Sequence, residues 1–523
     1  MNHVEVKQNV IKVYTRQADD NGYSNDIAAS VHIARVTETG DAEPFNNNYG
    51  VLFAKGAITA DNTIKCKGLK NPSIYRAADD LFVIVAPLCA GGYEYDADTK
   101  GCAAMWVTSD LVDYSDMKML YLNSDAFIDR LHISYSMEKG RYEIKWKDMD
   151  GRVYMNYCTD IVNQVDMSMP FLLNDTEIPE CDTVSVDDDT LARMQDKMQS
   201  YRKGHEAEGA MKFSFPLASG WADPQIFAWD GKYYFIATND NNNNIGIFVR
   251  ESDTVKGLFE SAEPVLILKD DKEKKLIQNF WAPELHVIGG DVYILFAVSG
   301  ETFGPQCHMM KLKKDGCISH IDDWEEPVRV RRQNGEYLAD AGITLDMTYF
   351  EAGGVSYLCW SYREHIFSEK DTGSMLYIAT IDSENPYVLT SEPVLLSRPL
   401  WGWENTDGTI NNEGPFALVR DGIVYLAFSG GSAVGDSYAV GYLIADEHDD
   451  LLNIVNWYKK PFPVHTSYTI NGEYGPGHNS FFTDEHGNVY TVYHAKEKLS
   501  GTPRCTGVCR LEFDSDGEPY LVL

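Results

Sequence analysis

A pattern of about sixty residues recurs five times in the C-terminal part of this chain, and it constrains the fold more than any other feature. Each copy opens a strand on a polar residue, turns on glycine and returns as an aromatic-rich strand. Asp223 opens the first copy, ahead of the turn at Asp230-Gly231 and the run Tyr233-Tyr234-Phe235-Ile236. Glu284, Asp346, Glu413 and His478 open the next four, at steps of 61, 62, 67 and 65 residues. Repeated strand–turn–strand units of this period are the signature of propeller blades, stacked radially with the first strand of each blade nearest the axis. The five opening residues are then expected to converge at one mouth of the central channel. Four carboxylates and an imidazole are not what a packed core selects, because buried acids must be paired or protonated.

The 523 residues exceed one ordinary domain. The first 165 residues carry strand patterns at a similar period but without acids: Asn71-Pro72-Ser73 stands where Asp223-Pro224-Gln225 would, and His132 follows 61 residues later. The expected fold is therefore all-β. It has an N-terminal accessory module of degenerate, blade-like units at 1–165, with a plain β-sandwich as the alternative. A linker with a short helix follows at 166–210, and a five-bladed β-propeller at 211–523. The accessory module is expected to be catalytically silent.

A formal net charge of −34 argues against nucleic acid and anionic membranes as partners. The N-terminus shows no basic and apolar leader, and no apolar run approaches membrane-spanning length. The expected location is the cytoplasm, with the ten scattered cysteines reduced.

Two carboxylates across a cavity are the minimal machinery for cleaving a glycosidic bond, one protonating the leaving oxygen and one activating water. The motifs Trp221-Ala222-Asp223-Pro224, Phe280-Trp281-Ala282-Pro283-Glu284, Leu345-Asp346-Met347-Thr348, Asn412-Glu413-Gly414-Pro415 and Gly475-Pro476-Gly477-His478 occur in that order. Taken together they closely resemble glycoside hydrolase family 43, over roughly 215 to 523. The resemblance implies an inverting, exo-acting glycosidase, an α-L-arabinofuranosidase in the first instance. A β-xylosidase of the same family, or a propeller that binds carbohydrate without cleaving it, is the alternative. It makes Asp223 the general base, Glu413 the general acid and Asp346 the acid that orients Glu413. It gives Arg504 a place in the site and puts His478 near the axis, with calcium or another ion expected beside it, although the chemistry itself requires no cofactor. Trp221, Trp281 and Trp403 are candidates for stacking on a sugar ring, and Glu284 and Asn412 for polar contacts with it. The expected partner is an arabinose- or xylose-containing oligosaccharide.

Overall fold

The computed structural model describes the chain except residues 1–8, 20–21, 78–80, 91–94, 175–176, 200, 203, 205–206, 340, 407 and 523. The stretch read for a leader lies outside the described residues. The chain divides into two compact units. The first comprises Met1–Ala57, Lys65–Ser200 and Leu400–Trp403, and the second Ile58–Ile64, Tyr201–Pro399 and Glu404–Leu523. Among the described residues no helix is long and apolar enough to cross a membrane.

The first unit holds three antiparallel sheets of four or five strands, built around Asn9–Tyr14, Phe82–Ala90 and Arg141–Asp148. The segment expected as a linker is in large part built into this unit. Thr183–Val186 pairs with Asn9–Tyr14, and the helix Asp188–Lys197 sends Leu191 and Met194 into a core that also contains Ile11, Val13 and Trp106. Local chemistry explains the helix: the Asp187 carboxylate caps the Thr190 N–H at 2.7 Å, Asp188 and Asp189 favour its N-terminus and Lys197 its C-terminus. The apolar spacing of Leu191, Met194 and Met198 was visible in the sequence; that a core awaited it was not.

The second unit is a five-bladed propeller. The strands Trp221–Trp229, Gln278–Ile288, Ile343–Ala352, Asn412–Arg420 and Tyr474–Thr483 each begin a blade, and each packs against the corresponding strands of the blades on either side. Blades I to V are numbered in that order. Within every blade the strands run antiparallel in sequence order, and large apolar side chains such as Phe235, Phe296 and Trp360 fill the spaces between blades. The ring closes on blade V. Ala218–Ser219 pairs antiparallel with Cys505–Phe513, and Tyr201–Arg202 pairs parallel with Pro519–Val522.

The first strand of every blade is broken at the same place. The ladder to the second strand slips between Ala222 and Gln225, Trp281 and Glu284, Leu345 and Thr348, Glu413 and Phe416, and Gly477 and Ser480. Inside each slip one residue adopts a left-handed backbone: Asp223 (φ 52°), Ala282 (φ 44°), Asp346 (φ 54°), Gly414 (φ 56°) and His478 (φ 47°). Such bulges re-aim a side chain and twist the strand. For the four residues other than glycine the conformation is strained, at about 1–2 kcal/mol each. Blades II and IV are therefore aligned by Ala282 and Gly414, not by Glu284 and Glu413 as the sequence reading has them. Glu413 stands one residue before its bulge and Glu284 two residues after.

Candidate active site

The bulges gather Asp223, Asp346, Glu413 and His478 on one cavity of about 550 Å³ at the propeller axis, lined also by Trp281, Asp240, Lys496 and Arg504. Asp223 is the most heavily engaged of the acids. Its Oδ1 receives Nη1 of Arg504 at 3.2 Å and lies 3.2 Å from Nδ1 of His478, while its Oδ2 accepts the Thr238 hydroxyl at 2.6 Å. The Thr238 oxygen in turn accepts the N–H of Ala282, the left-handed residue of blade II, at 2.8 Å. His494 meets the same residue at two points: Nδ1 accepts the Asp223 N–H at 3.2 Å and lies 3.2 Å from Oδ1, while Nε2 donates to the Ala433 carbonyl at 3.3 Å. Burial pushes the Asp223 carboxyl up, but Arg504, then His478 and His494, outweigh it and hold the group well below the usual carboxylate range. Arg504 is itself fixed by a two-pronged contact with Asp240, Nε and Nη2 each donating at 2.9 Å.

Asp346 has the opposite environment. Its Oδ2 accepts the Gly414 N–H at 3.1 Å and the Ser361 hydroxyl at 3.2 Å. Burial pushes the group up, His478 pulls it back, and the carboxylates of Glu413 and Asp223 raise it further, to about 7. Through Gly414 it grips the backbone next to Glu413. Glu413 is half-buried, and its Oε1 accepts the Tyr438 hydroxyl at 2.9 Å. Gly414 is required twice over, because its φ is positive and a Cβ there would lie 2.9 Å from the His478 ring.

His478 is tied to the acids around it. Its imidazole is raised by the surrounding carboxylates, Asp223 foremost, against the opposing effect of burial, and Nδ1 is engaged by the Asp223 carboxylate. Calcium calls for several oxygen donors around one point, and among the described residues no group of three or more His, Cys, Asp or Glu side chains could hold a metal ion. Side chains alone therefore do not make a calcium site at His478, and an ion there would be held chiefly by water.

Of the expected sugar contacts, Trp281 and Arg504 line the cavity. The others do not. Trp221 is buried against Phe235 and Phe248 with Arg250 over its ring, and so belongs to the core between blades. Glu284 is buried and paired with His286, Oε2 to Nε2 at 2.6 Å. Asn412 is fully buried, its Oδ1 accepting from Ser397 and Lys459. Trp403 is fully buried and falls in the other unit. The sequence reading missed Asp240, Thr238, Tyr438, His494 and Lys496. Tyr438 and His494 stand close to recurring strand patterns, but nothing local marks them as partners of acids 25 and 271 residues away.

Comparison with known proteins agrees with this architecture. A family model described as Glycosyl hydrolases family 43 matches residues 213–519. The chain is 35% identical over 303 residues to an extracellular exo-α-(1→5)-L-arabinofuranosidase of Streptomyces chartreusis, covering 57% of this chain and 88% of that one. It is 34% identical over 319 residues to α-L-arabinofuranosidase B of Pyricularia oryzae, covering 59% of this chain but only 63% of that longer protein. The crystal structure of an α-L-arabinofuranosidase from Lactobacillus brevis matches with a TM-score of 0.51 at 31% identity, over 58% of this chain and 94% of that one. The chain belongs to glycoside hydrolase family 43.

Proposed function

We propose that this protein is an inverting, exo-acting α-L-arabinofuranosidase that releases terminal L-arabinofuranose from arabinose-containing oligosaccharides. The observation that carries the chemistry is the contrast between two carboxyls in one cavity, Asp223 held ionised by Arg504 and Asp346 raised to about 7 beside Glu413. In this reading Asp223 takes a proton from a water, and that water attacks the anomeric carbon from the face opposite the leaving group. Glu413 gives its proton to the glycosidic oxygen as the bond breaks, so configuration inverts. Asp346 orients Glu413 through the Gly414 N–H. Trp281 and Arg504 serve as sugar contacts, and a water and two carboxyls suffice for the reaction. The choice of sugar rests on the names of relatives at 31–35% identity. A reducing, cytoplasmic setting accords with ten free cysteines; thiol titration of protein purified without reductant should count all ten, and fewer would argue against it.

Leaving groups separate the roles. Glu413→Gln should lose about 10²–10⁴-fold on arabino-oligosaccharides yet far less on dinitrophenyl arabinofuranoside, which departs without a proton. Asp223→Asn should lose both alike. The reverse pattern would exchange the two assignments, and faster turnover of the aryl xyloside than of the arabinofuranoside would make the protein a β-xylosidase.

A further inference from the structure

One wall of the cavity is contributed by blade IV yet is tied to blade V. The loop 431–438 joins Ile423–Gly430 to Ala439–Asp446, and its Ala433 and Val434 line the cavity. The loop 497–504 joins Val489–Lys496 to Cys505–Phe513 and lines it with Gly501, Thr502, Pro503 and Arg504. Asp436 binds the two loops together. Its Oδ1 accepts Nζ of Lys496 at 2.5 Å, and both carboxylate oxygens accept the Ser500 N–H, at 3.0 and 2.8 Å. Lys496, buried within the same wall, donates also to the Val434 carbonyl at 2.9 Å. The Asp436 carbonyl accepts the Ser467 hydroxyl at 2.5 Å, and the Ser467 oxygen accepts the Gly475 N–H at 2.7 Å.

The glycines of the Gly475-Pro476-Gly477-His478 motif make room for this knot. A Cβ on Gly475 would lie 2.2 Å from the Gly435 carbonyl oxygen, and one on Gly477 would lie 2.2 Å from the Tyr438 ring. The knot therefore sits between the two groups that touch the acids. Two residues after Asp436 stands Tyr438, which donates to Glu413; four residues after Ser500 stands Arg504, which donates to Asp223.

We propose that Asp436 and Lys496 are positioning residues for the acid–base pair: their contact sets the loop that carries Tyr438 and the loop that carries Arg504 at once. The inference rests on the reading of Asp223 as the base. A buried Lys–Asp contact with two further donors on the carboxylate is a stiff joint, and an error of about 1 Å in a catalytic partner costs on the order of 10²-fold in rate. Once the joint is cut, Arg504 keeps Asp240 but loses the loop position from which Nη1 reaches Asp223, and the base becomes harder to ionise.

The test is the pH profile of kcat/KM on dinitrophenyl arabinofuranoside, a substrate that needs the base and not the acid, measured on the full chain and on Asp436→Ala. The acidic limb should move to higher pH by about one unit, with kcat falling on the order of tenfold or more and KM changing little. Lys496→Met keeps the apolar stem and removes the charge, so it should show the same displacement and carries the comparison if Asp436→Ala fails to fold. An acidic limb and kcat equal to those of the parent in a folded variant would overturn the inference while leaving an inactive Asp223→Asn, and hence the assignment of the base, intact. Full activity in Asp223→Asn would overturn both.

Discussion

Asp346 stores a penalty that a single amide should release. Its carboxyl is displaced from 3.8 to about 7, and each unit is worth about 1.4 kcal/mol. Ionising it above pH 7 therefore withdraws up to roughly 4 kcal/mol from the folded state. The folded pKa lies above the unfolded one. The penalty is thus absent below about pH 4, where both states are protonated, grows as the pH rises, and is complete above 7. Asp346→Asn removes the ionisation yet keeps an oxygen to accept the Gly414 N–H and the Ser361 hydroxyl. A stabilisation of roughly 4 kcal/mol at pH 8 follows, equivalent to on the order of 5 °C in the thermal midpoint. Scanning fluorimetry of parent and variant from pH 4 to 8 should show the midpoints coinciding at the acid end and diverging steadily toward the alkaline end. Turnover of oligosaccharides should fall at the same time, because the carboxylate beside Glu413 is lost. A variant that melts at or below the parent at pH 8, or a gap that ignores pH, would refute this account of Asp346.

Proton NMR of the first-formed sugar should show the inverted anomer; retention would mean that Asp223 attacks the sugar instead of holding water. Gly477→Ala should lose on the order of 10²-fold in turnover with its circular dichroism unchanged, since the new methyl group would fall on the Tyr438 ring; parent-like turnover would show that the loop has slack. Exhaustive chelation should alter neither activity nor the thermal midpoint, because His478 is committed to Asp223. A loss that calcium restores would falsify that placement.

The blade period, the polar opening residues and the glycine turns are local features, and the propeller was legible from them. So were Asp223, Asp346 and His478, which occupy equivalent left-handed bulges. The misaligned pair is instructive. Glu284 was matched to the acids by its chemistry, whereas the backbone equivalence belongs to Ala282, and the signal was the proline that follows: Asp223-Pro224, Ala282-Pro283 and Gly414-Pro415 share it. Glu413 reaches the cavity from one residue before its bulge, so counting from acid to acid found a cavity residue in the wrong register. Trp221 and Trp403 show the limit of arguing from side-chain size: a tryptophan fills a core as readily as it flanks a sugar, and only the fold says which. The groups that tune the acids come from second strands and loops, Thr238, Ser361 and Tyr438 from the acid's own blade and His494 and Arg504 from blade V, and no blade-opening pattern marks them.

The seam of the ring has a consequence for how the protein comes to life. Asp223 belongs to the first blade made, while His478, His494 and Arg504, which hold it ionised, all belong to the last. A chain emerging from the ribosome carries the proposed base for some 250 residues before the groups that charge it exist. Until the final blade folds against Ala218–Ser219, the acid has nothing to keep it ionised out of water. Catalytic competence should therefore arrive with the last strands and not build up blade by blade. A protease that trims the C-terminus would then silence the enzyme at the end of the chain remote from its base.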